Sequence, residues 1–240
     1  MNITFDRYHK YEEIRAFLQD CVREYPDLTR IECIGKSFLD REILMLEITN
    51  RNTGPGADKP GVYSDGNTHA GEVTGCEVIL YTVKRMLEAY GKDPIITEMV
   101  DTRVFYFIPR ITVDGSEHYL ATPHMIRSSM RPWPPETDEV PGLYPEDVNC
   151  DGRILQMRVR NPDGNWKASP RDPRLMVRRR PDESGGTYYD LLPEGLIKDY
   201  DPDVPVAIAP GKYRLDFNRQ YPANWTPPAR QRGSGDYPFA

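Results

Sequence analysis

The amino-acid sequence predicts an α/β fold. Two amphipathic helical patterns, at 8–25 and 73–90, alternate with β-rich runs in the order α-β-β-β-α-β. The last of these runs, 103–109 (RVFYFIP), is almost continuously apolar, as is typical of a strand buried on both faces of a sheet.

The individual elements follow from local patterns. In 8–25 and 73–90, apolar residues recur every three or four positions, which places them on one face of a helix. The runs 29–37 and 41–49 are rich in β-forming residues and are separated by the short link FLD, so they predict a hairpin. A further short strand is predicted at 59–65.

Proline divides the chain. Thirteen of its 23 prolines lie between Pro132 and Pro210. Because proline lacks a backbone donor and breaks helices and inner strands, this segment is predicted to be a loop-rich insertion. Within it, a hairpin is expected near Ile154–Arg160, turning at residues 161–164 (NPDG).

Composition excludes several classes of protein. The 240 residues carry 31 basic and 37 acidic side chains, and the longest basic run is Arg178-Arg179-Arg180, so nucleic acid is not expected as a main partner. No run approaches 18 apolar residues, so no membrane span is predicted. The polar N-terminus and four cysteines without CxxC spacing predict a cytoplasmic protein with reduced thiols.

The first chemistry-bearing residues lie between a predicted strand and a predicted helix. His69 and Glu72 are three positions apart, so a helical turn would place imidazole and carboxylate on one side. These are two of the three ligands of a His₂Glu zinc site. Taken alone, the pair is better explained by a loop histidine and an acidic residue at a helix N-terminus.

Seven short blocks of sequence, spread over about residues 8–225, form a recognisable series. The blocks are Tyr8-His9-Lys10, Ile34-Gly35-Lys36-Ser37, Asp40-Arg41-Glu42-Ile43, residues 65–72 (DGNTHAGE), residues 109–115 (PRITVDG), Ile126-Arg127-Ser128-Ser129 and Asp216-Phe217-Asn218-Arg219-Gln220. Read together, they resemble the zinc metallocarboxypeptidases of the carboxypeptidase A type, because they occur in the order and at roughly the separations of that family. This resemblance implies a mixed twisted sheet with helices on both faces.

The resemblance assigns roles to five residues. His69 and Glu72 are implied to bind one zinc ion. Arg127 is implied to polarise the scissile carbonyl, a task suited to a guanidinium because it stays charged. Asn218 and Arg219 are implied to hold the terminal carboxylate of the substrate. From the sequence alone, Arg131 remains an alternative to Arg127.

The implied activity is zinc-dependent hydrolysis of the C-terminal peptide bond of peptides or proteins through a metal-activated water. The family's third zinc ligand, a histidine, and its general base, a glutamate, follow the Asn-Arg block. The 21 residues after Arg219 contain neither histidine nor glutamate. We therefore expect 1–131 to be the N-terminal part of a catalytic domain, 132–210 an insertion and 211–240 a truncated return, with weak or no activity in the chain as given.

Two other functions remain open from the sequence. One is a zinc amidohydrolase that deacylates N-acyl amino acids, since such enzymes also begin with HxxE. The other is a non-catalytic module that binds peptide C-termini through Arg127, Asn218 and Arg219. Separately, Asp147, Asn149 and Asp151 resemble the opening of a calcium loop, but its twelfth position is Arg158, so an Asx turn is favoured.

Overall fold

A computed structural model describes residues 1, 3–135 and 139–239. Residues 136–138 of the predicted insertion and residue 240 of the predicted return lie outside this description. The chain forms two compact units. The first unit comprises Met1–Ala121, Met125–Thr137 and Lys212–Ala240, and the second comprises Thr122–His124 and Asp138–Gly211.

The first unit has a mixed α/β fold. The elements are α1 (Tyr11–Glu24), β1 (Thr29–Lys36), β2 (Glu42–Ile48), β3 (Gly61–Asp65), α2 (Thr74–Ala89), α3 (Pro94–Thr102), β4 (Val104–Ile108) and α4 (Val113–Ala121). The strands form one sheet in the order β1-β2-β4-β3, in which β1, β2 and β4 are antiparallel and β3 runs parallel to β4. No helix in the described part of the chain is both long enough and apolar enough to cross a bilayer.

The core of this unit lies between the sheet and three of its helices. Side chains from α1, α2 and α3 form one buried cluster with alternate residues of β2 and β4. Leu18, Leu46 and Leu80 are fully buried in it. The predicted elements of the first 110 residues are thus confirmed, with ends shifted by at most three residues.

Two helices were not predicted. In α3, Asp93 accepts hydrogen bonds from the backbone of Ile95 and Ile96, and Pro94 occupies the first turn, where a missing N–H has no cost. In α4, Asp114 and Ser116 are buried polar residues, so no long apolar stripe marks the helix. Both helices have nine residues, too few to display a strong apolar period.

The second unit contains short strands joined by longer loops, and its described residues contain no helix. The strands are β5 (Gly142–Pro145), β6 (Gln156–Arg160), β7 (Trp166–Ala168), β8 (Met176–Arg178), β9 (Tyr189–Pro193) and β10 (Gly195–Lys198). Four of them form a sheet in the order β6-β9-β7-β8, and the other two form a separate ribbon, β10-β5.

The predicted hairpin after Ile154–Arg160 is wrong. Residues 161–164 do turn, with Gly164 N donating to Asn161 O, but β6 pairs with β9 instead of β7. A Cβ on Gly164 would lie 2.5 Å from the backbone of Tyr189, so the chain leaving the turn packs directly against β9. A later strand therefore occupies the position between β6 and β7.

Candidate active site

The site lies in the first unit, at the carboxyl end of β3. Because β3 and β4 are parallel neighbours, the loops that follow them emerge at the same edge of the sheet. Asn67 adopts a left-handed backbone conformation (φ 57°) in the first of these loops. Its side-chain amide donates to His69 O at 2.6 Å, and its Oδ1 accepts from Ser116 Oγ of α4 at 2.9 Å. Both loops are thereby fixed around His69.

His69 and Glu72 converge. Glu72 N donates to His69 O at 3.0 Å, closing a turn that brings the two side chains together. The distance from His69 Nδ1 to Glu72 Oε1 is 3.0 Å. The histidine side chain is only 9% exposed, whereas that of Glu72 is 65% exposed. The pair thus joins a fixed imidazole to a carboxylate that faces solvent.

Asp216 holds the other edge of the imidazole ring. Although it lies 147 positions along the chain, its Oδ1 is 3.0 Å from His69 Nε2. Its second oxygen accepts a hydrogen bond from Arg127 Nε at 2.9 Å. Burial acts to raise the pKa of this carboxyl, but the hydrogen bonds from Arg127 and His69 outweigh burial and hold the pKa below its ordinary value.

Backbone contacts bring the three distant segments together. Ala70 N donates to Arg127 O at 2.9 Å, and Phe217 N donates to Ser128 Oγ at 3.2 Å. A Cβ on Gly115 would lie 1.9 Å from Ser128 O, so only glycine permits this approach of the chain to α4. The segment that carries Arg127 therefore contacts both loops, and it places the Arg127 side chain beside Glu72 and Asp216.

Asn218 and Arg219 follow Asp216 directly in a short 3₁₀ turn, Phe217–Arg219. Asn218 N donates to the same Asp216 oxygen that faces His69, at 2.9 Å. Arg219 Nη1 donates to Asn218 O at 2.9 Å. Among the hydrogen bonds and ion pairs of the described residues, neither side chain contacts His69, Glu72 or Arg127.

The geometry separates the two candidate arginines. Arg127 contacts Asp216, and its Nη1 lies 3.6 Å from Glu72 Oε1. Arg131 instead places its guanidinium 5.7 Å from the centre of the Trp133 ring. Arg127, with 46% of its side chain exposed, is the arginine at the cluster.

Comparison with known proteins decides the family. The zinc carboxypeptidase family model matches residues 14–153, which is more than half of the chain. This chain belongs to the zinc carboxypeptidase family. The matched segment contains His69, Glu72 and Arg127, while the Asp216–Gln220 block lies beyond it.

Individual curated sequences also resemble this chain. A zinc carboxypeptidase of Saccharothrix mutabilis subsp. capreolus is 32% identical over 126 residues, covering 52% of this chain and 28% of the relative. Carboxypeptidase B of Bos taurus is 29% identical over 126 residues, covering 52% and 29%. Among solved structures, carboxypeptidase A of Helicoverpa armigera is 26% identical with a TM-score of 0.45, covering 50% of this chain and 28% of that one. The chain thus spans less than a third of the length of these relatives.

The donor chemistry of His69 and Glu72 fits a zinc ion. An imidazole nitrogen and a carboxylate oxygen are the ligands that zinc takes in catalytic sites, at about 2.0–2.2 Å. A carboxylate can only accept, so a cation between Glu72 and Nδ1, either a proton or a metal ion, satisfies both atoms. Among residues 1, 3–135 and 139–239, no group of three His, Cys, Asp or Glu side chains is arranged to hold a metal. Asp216 does not complete such a group, because it faces the opposite edge of the ring.

Sequence reasoning missed part of the site. From the sequence alone, Asp216 has no role beyond its place in the block with Asn218 and Arg219. In the structure, Asp216 joins His69 to Arg127. Its signal is the Asp-x-Asn order, typical of an aspartate that caps a turn. The supports Asn67, Ser128 and Gly115 carry no such signal, because a close backbone approach is visible only in three dimensions.

The calcium-like segment of the second unit is built as a turn. Asp147 accepts hydrogen bonds from the backbone N–H groups of Asp151 and Gly152, at 3.1 and 2.8 Å. Asn149 Oδ1 accepts from Asp151 N at 2.9 Å. The carboxylate of Glu194 accepts from the backbone of Val148 and Asn149. These oxygens bond to backbone amides, as the Asx-turn interpretation expects.

Proposed function

We propose that this chain carries the first half of a carboxypeptidase active site, which hydrolyses the C-terminal peptide bond of peptides or proteins. Family membership supports a metallocarboxypeptidase-type hydrolase. The observation that carries the finer proposal is the contact of Asp216 with His69, because it brings the Asn218-Arg219 block to the loop of the proposed ligands.

In this proposal, His69 Nδ1 and Glu72 hold the zinc ion. Bound zinc would activate a water molecule and polarise the substrate carbonyl. Histidines that bind metal usually donate their other ring N–H to a carboxylate, which fixes the ring and its tautomer. Asp216 is placed to do this at Nε2, and its low pKa keeps it an acceptor.

Arg127 is proposed to stabilise negative charge on the scissile carbonyl oxygen. The bond from Nε to Asp216 fixes the guanidinium, and its Nη1 lies 3.6 Å from Glu72 Oε1 on a side chain that is 46% exposed. A fixed cation needs no rearrangement when charge develops, which is why such groups lower the barrier.

Asn218 and Arg219 are proposed to bind the terminal carboxylate of the substrate. The substrate's scissile carbonyl and its terminal carboxylate are separated by a single residue, about 3.3–3.6 Å of chain. The groups that hold them must therefore be neighbours. Asn218 and Arg219 satisfy this through Asp216, which contacts Arg127 on one side and precedes the Asn-Arg pair on the other.

The proposal needs a third zinc ligand and a general base. The described residues do not complete a three-ligand group around His69. Since the chain covers only 28–29% of two of its relatives, we propose that both groups belong to a longer catalytic domain. Reading the coding sequence downstream of position 240 tests this. A continuation with a histidine and a later glutamate in family context is expected, and a stop codon would contradict it.

The same absence of a three-ligand group favours one alternative, a module that binds peptide C-termini without cleaving them. Activity assays of the full-length protein distinguish the possibilities. We expect release of the C-terminal residue from an N-blocked peptide, and no cleavage of the same peptide with a C-terminal amide. Binding without turnover would indicate the module, and deacylation of an N-acyl amino acid would indicate an amidohydrolase.

Matched variants assign the roles. Arg127→Ala should lower kcat by about 10²–10³, as loss of a charge-stabilising donor does, whereas Arg131→Ala, a neighbouring arginine outside the cluster, should leave it nearly unchanged. Arg219→Ala should chiefly raise KM for substrates with a free C-terminus. Equal effects of Arg127→Ala and Arg131→Ala on kcat would overturn the assignment of Arg127.

A further inference from the structure

The second unit contains a concentration of positive charge that the proposed active site does not use. Between positions 153 and 180 the sequence has nine basic and two acidic residues, within a chain of net charge −6. Much of this charge lies on the sheet β6-β9-β7-β8 or in the loops that join its strands.

One face of this sheet combines arginines with aromatic rings. Arg160 pairs with Tyr189, Tyr189 pairs with Trp166, and Trp166 pairs with Arg178, so one row crosses all four strands. Side chains paired across strands project from the same face. Arg158, two positions before Arg160, also lies on this face. We call Arg158, Arg160, Trp166, Arg178 and Tyr189 the arginine face.

The three arginines of this face pair with no carboxylate in the described part of the chain. All three are exposed, and no carboxylate among the described residues lies within 4.0 Å of their guanidinium nitrogens. Nearby arginines outside the face differ, since Arg174 pairs with Asp172 at 2.8 Å. Within residues 1, 3–135 and 139–239, the face is therefore a set of exposed cations without anionic partners.

Two of these arginines are held in place. The guanidinium of Arg178 lies 5.2 Å from the centre of the Trp166 ring, and that of Arg158 lies 5.7 Å from that of Tyr189. Arg158 also donates to Pro173 O at 3.1 Å. A guanidinium that lies over a ring still carries N–H groups for other partners, so Arg178, and Arg158 through its nitrogens other than Nη1, are preorganised to bind carboxylates.

Arg158 and Arg160 lie on a strand, β6, whose outer edge pairs with no other strand among the described residues. β6 is the first strand of its sheet and pairs with β9. Asn161 N donates to Tyr188 O and Glu194 N donates to Leu155 O, so the odd-numbered residues of β6 share hydrogen bonds with β9. Since such bonds alternate along an antiparallel strand, the backbone groups of Arg158 and Arg160 point to the open edge.

We propose that the arginine face and the edge of β6 bind an extended acidic polypeptide segment, which adds to the sheet as a further strand. Main-chain hydrogen bonds to β6 would hold the segment. Its alternate side chains, about 6.6–6.8 Å apart, match the spacing of Arg158 and Arg160. Carboxylates at those positions would accept the paired N–H groups of the two guanidiniums.

The geometry favours a polypeptide over a single-stranded nucleic acid. Nucleic acids of this kind bind by stacking bases on free aromatic faces. Here guanidiniums lie over both Trp166 and Tyr189. A nucleic acid also lacks the main-chain amides that would pair with the open edge of β6.

The test uses the full-length protein and a labelled peptide in which glutamate and threonine alternate, monitored by fluorescence anisotropy. Its C-terminus is amidated, which removes the carboxylate that the proposed active site requires, so the two proposals fail independently. We expect saturable binding, weakened about fivefold by Arg158→Gln/Arg160→Gln through loss of two exposed charge pairs. Arg153→Gln/Arg171→Gln removes the same charge from exposed loops and should weaken binding less than about twofold.

Four results would overturn the proposal: no saturable binding, equal weakening by the two double variants, equal binding of a peptide with its glutamates grouped at one end, or tighter binding of a single-stranded oligonucleotide of equal charge. Hydrogen exchange of the wild-type protein tests the same proposal without relying on a variant that could misfold. Peptide binding should slow hydrogen exchange of the backbone amides of Arg158 and Arg160, and unchanged exchange would contradict strand addition.

Discussion

In the first unit, seventeen buried apolar residues from three helices, two strands and a connecting turn form one cluster. In the second unit, Leu143, Tyr188 and Ala209 are the buried apolar side chains among the described residues. Few side chains are buried there, and individual polar and ring contacts accompany them. Glu194 is 92% buried and accepts hydrogen bonds from the backbone of Val148 and Asn149, and Arg179 lies 4.0 Å from the centre of the Tyr188 ring.

This difference explains which half of the chain can be derived from its pattern. Burying apolar surface requires a periodic sequence, and the period is legible in α1, α2 and β4. A buried carboxylate that accepts from a loop leaves no periodic trace. The fold of the first unit can therefore be predicted from its apolar periodicity, whereas the fold of the second depends on contacts between particular pairs of residues.

The largest effect is expected in the apolar core of the first unit. Leu80→Ala removes a fully buried side chain of α2 and should lower the free energy of unfolding by about 2–5 kcal/mol. Val78→Ala, on the exposed side of the same helix, should change it by less than about 0.5 kcal/mol. Denaturant unfolding measures both, and similar values for the two would refute the account of this core.

A smaller effect is expected from the buried carboxylate of the second unit. Glu194→Ala leaves the backbone N–H groups of Val148 and Asn149 without their acceptor and should cost about 1–3 kcal/mol. Glu146→Ala removes an exposed acid nearby and serves as the control. Val159→Ala, an exposed apolar truncation on β6, should cost less than Glu194→Ala. A larger loss of unfolding free energy for Val159→Ala than for Glu194→Ala would indicate that apolar burial stabilises the second unit as it does the first.

The smallest expected effect concerns the reactivity of the four cysteines, which are all free thiols. Burial raises the pKa of the Cys21 and Cys76 thiols to about 12, so at pH 8 these two residues of the first unit should resist alkylation. Exposed Cys33 and Cys150 should react, one in each unit. Mass spectrometry of alkylated peptides locates the label, and rapid labelling of Cys76 in the folded protein would contradict its burial.

The same shifts have a consequence for stability. Because the folded state holds these two thiol protons more tightly than the unfolded chain, their contribution is complete below about pH 8.5. It is lost as the pH rises from there towards 12. The free energy of unfolding should therefore decline over this alkaline range, and less so in a Cys21→Ala variant.

Strand pairing in the second unit could not be derived from the sequence. The turn at 161–164 was visible, but the identity of the neighbouring strand was not, because Gly164 fits against Tyr189 only through close backbone contact. Short helices were missed for a related reason: α4 has buried Asp114 and Ser116 where an apolar stripe is expected. In the second unit and in α4, contacts between residues distant in sequence determine the structure, and the local sequence pattern does not show them.

The candidate site was more accessible to sequence reasoning. His69, Glu72 and Arg127 follow from residue type and block order, and the structure brings them into one cluster. The choice of Arg127 over Arg131 needed coordinates, since both lie in the same short segment. Asp216 as a link between His69 and Arg127 needed them too, because nothing in a sequence reports contact across 147 positions.

We propose that His69 and Glu72 hold a zinc ion and that Asp216 fixes the ring of His69. The most direct test is a crystal structure of the full-length protein grown with zinc, with anomalous differences collected on both sides of the zinc absorption edge. We expect one strong peak within about 2.0–2.2 Å of His69 Nδ1 and a Glu72 oxygen, with Asp216 still bonded to Nε2. A zinc peak elsewhere, with His69 and Glu72 in contact only with each other, would contradict the account.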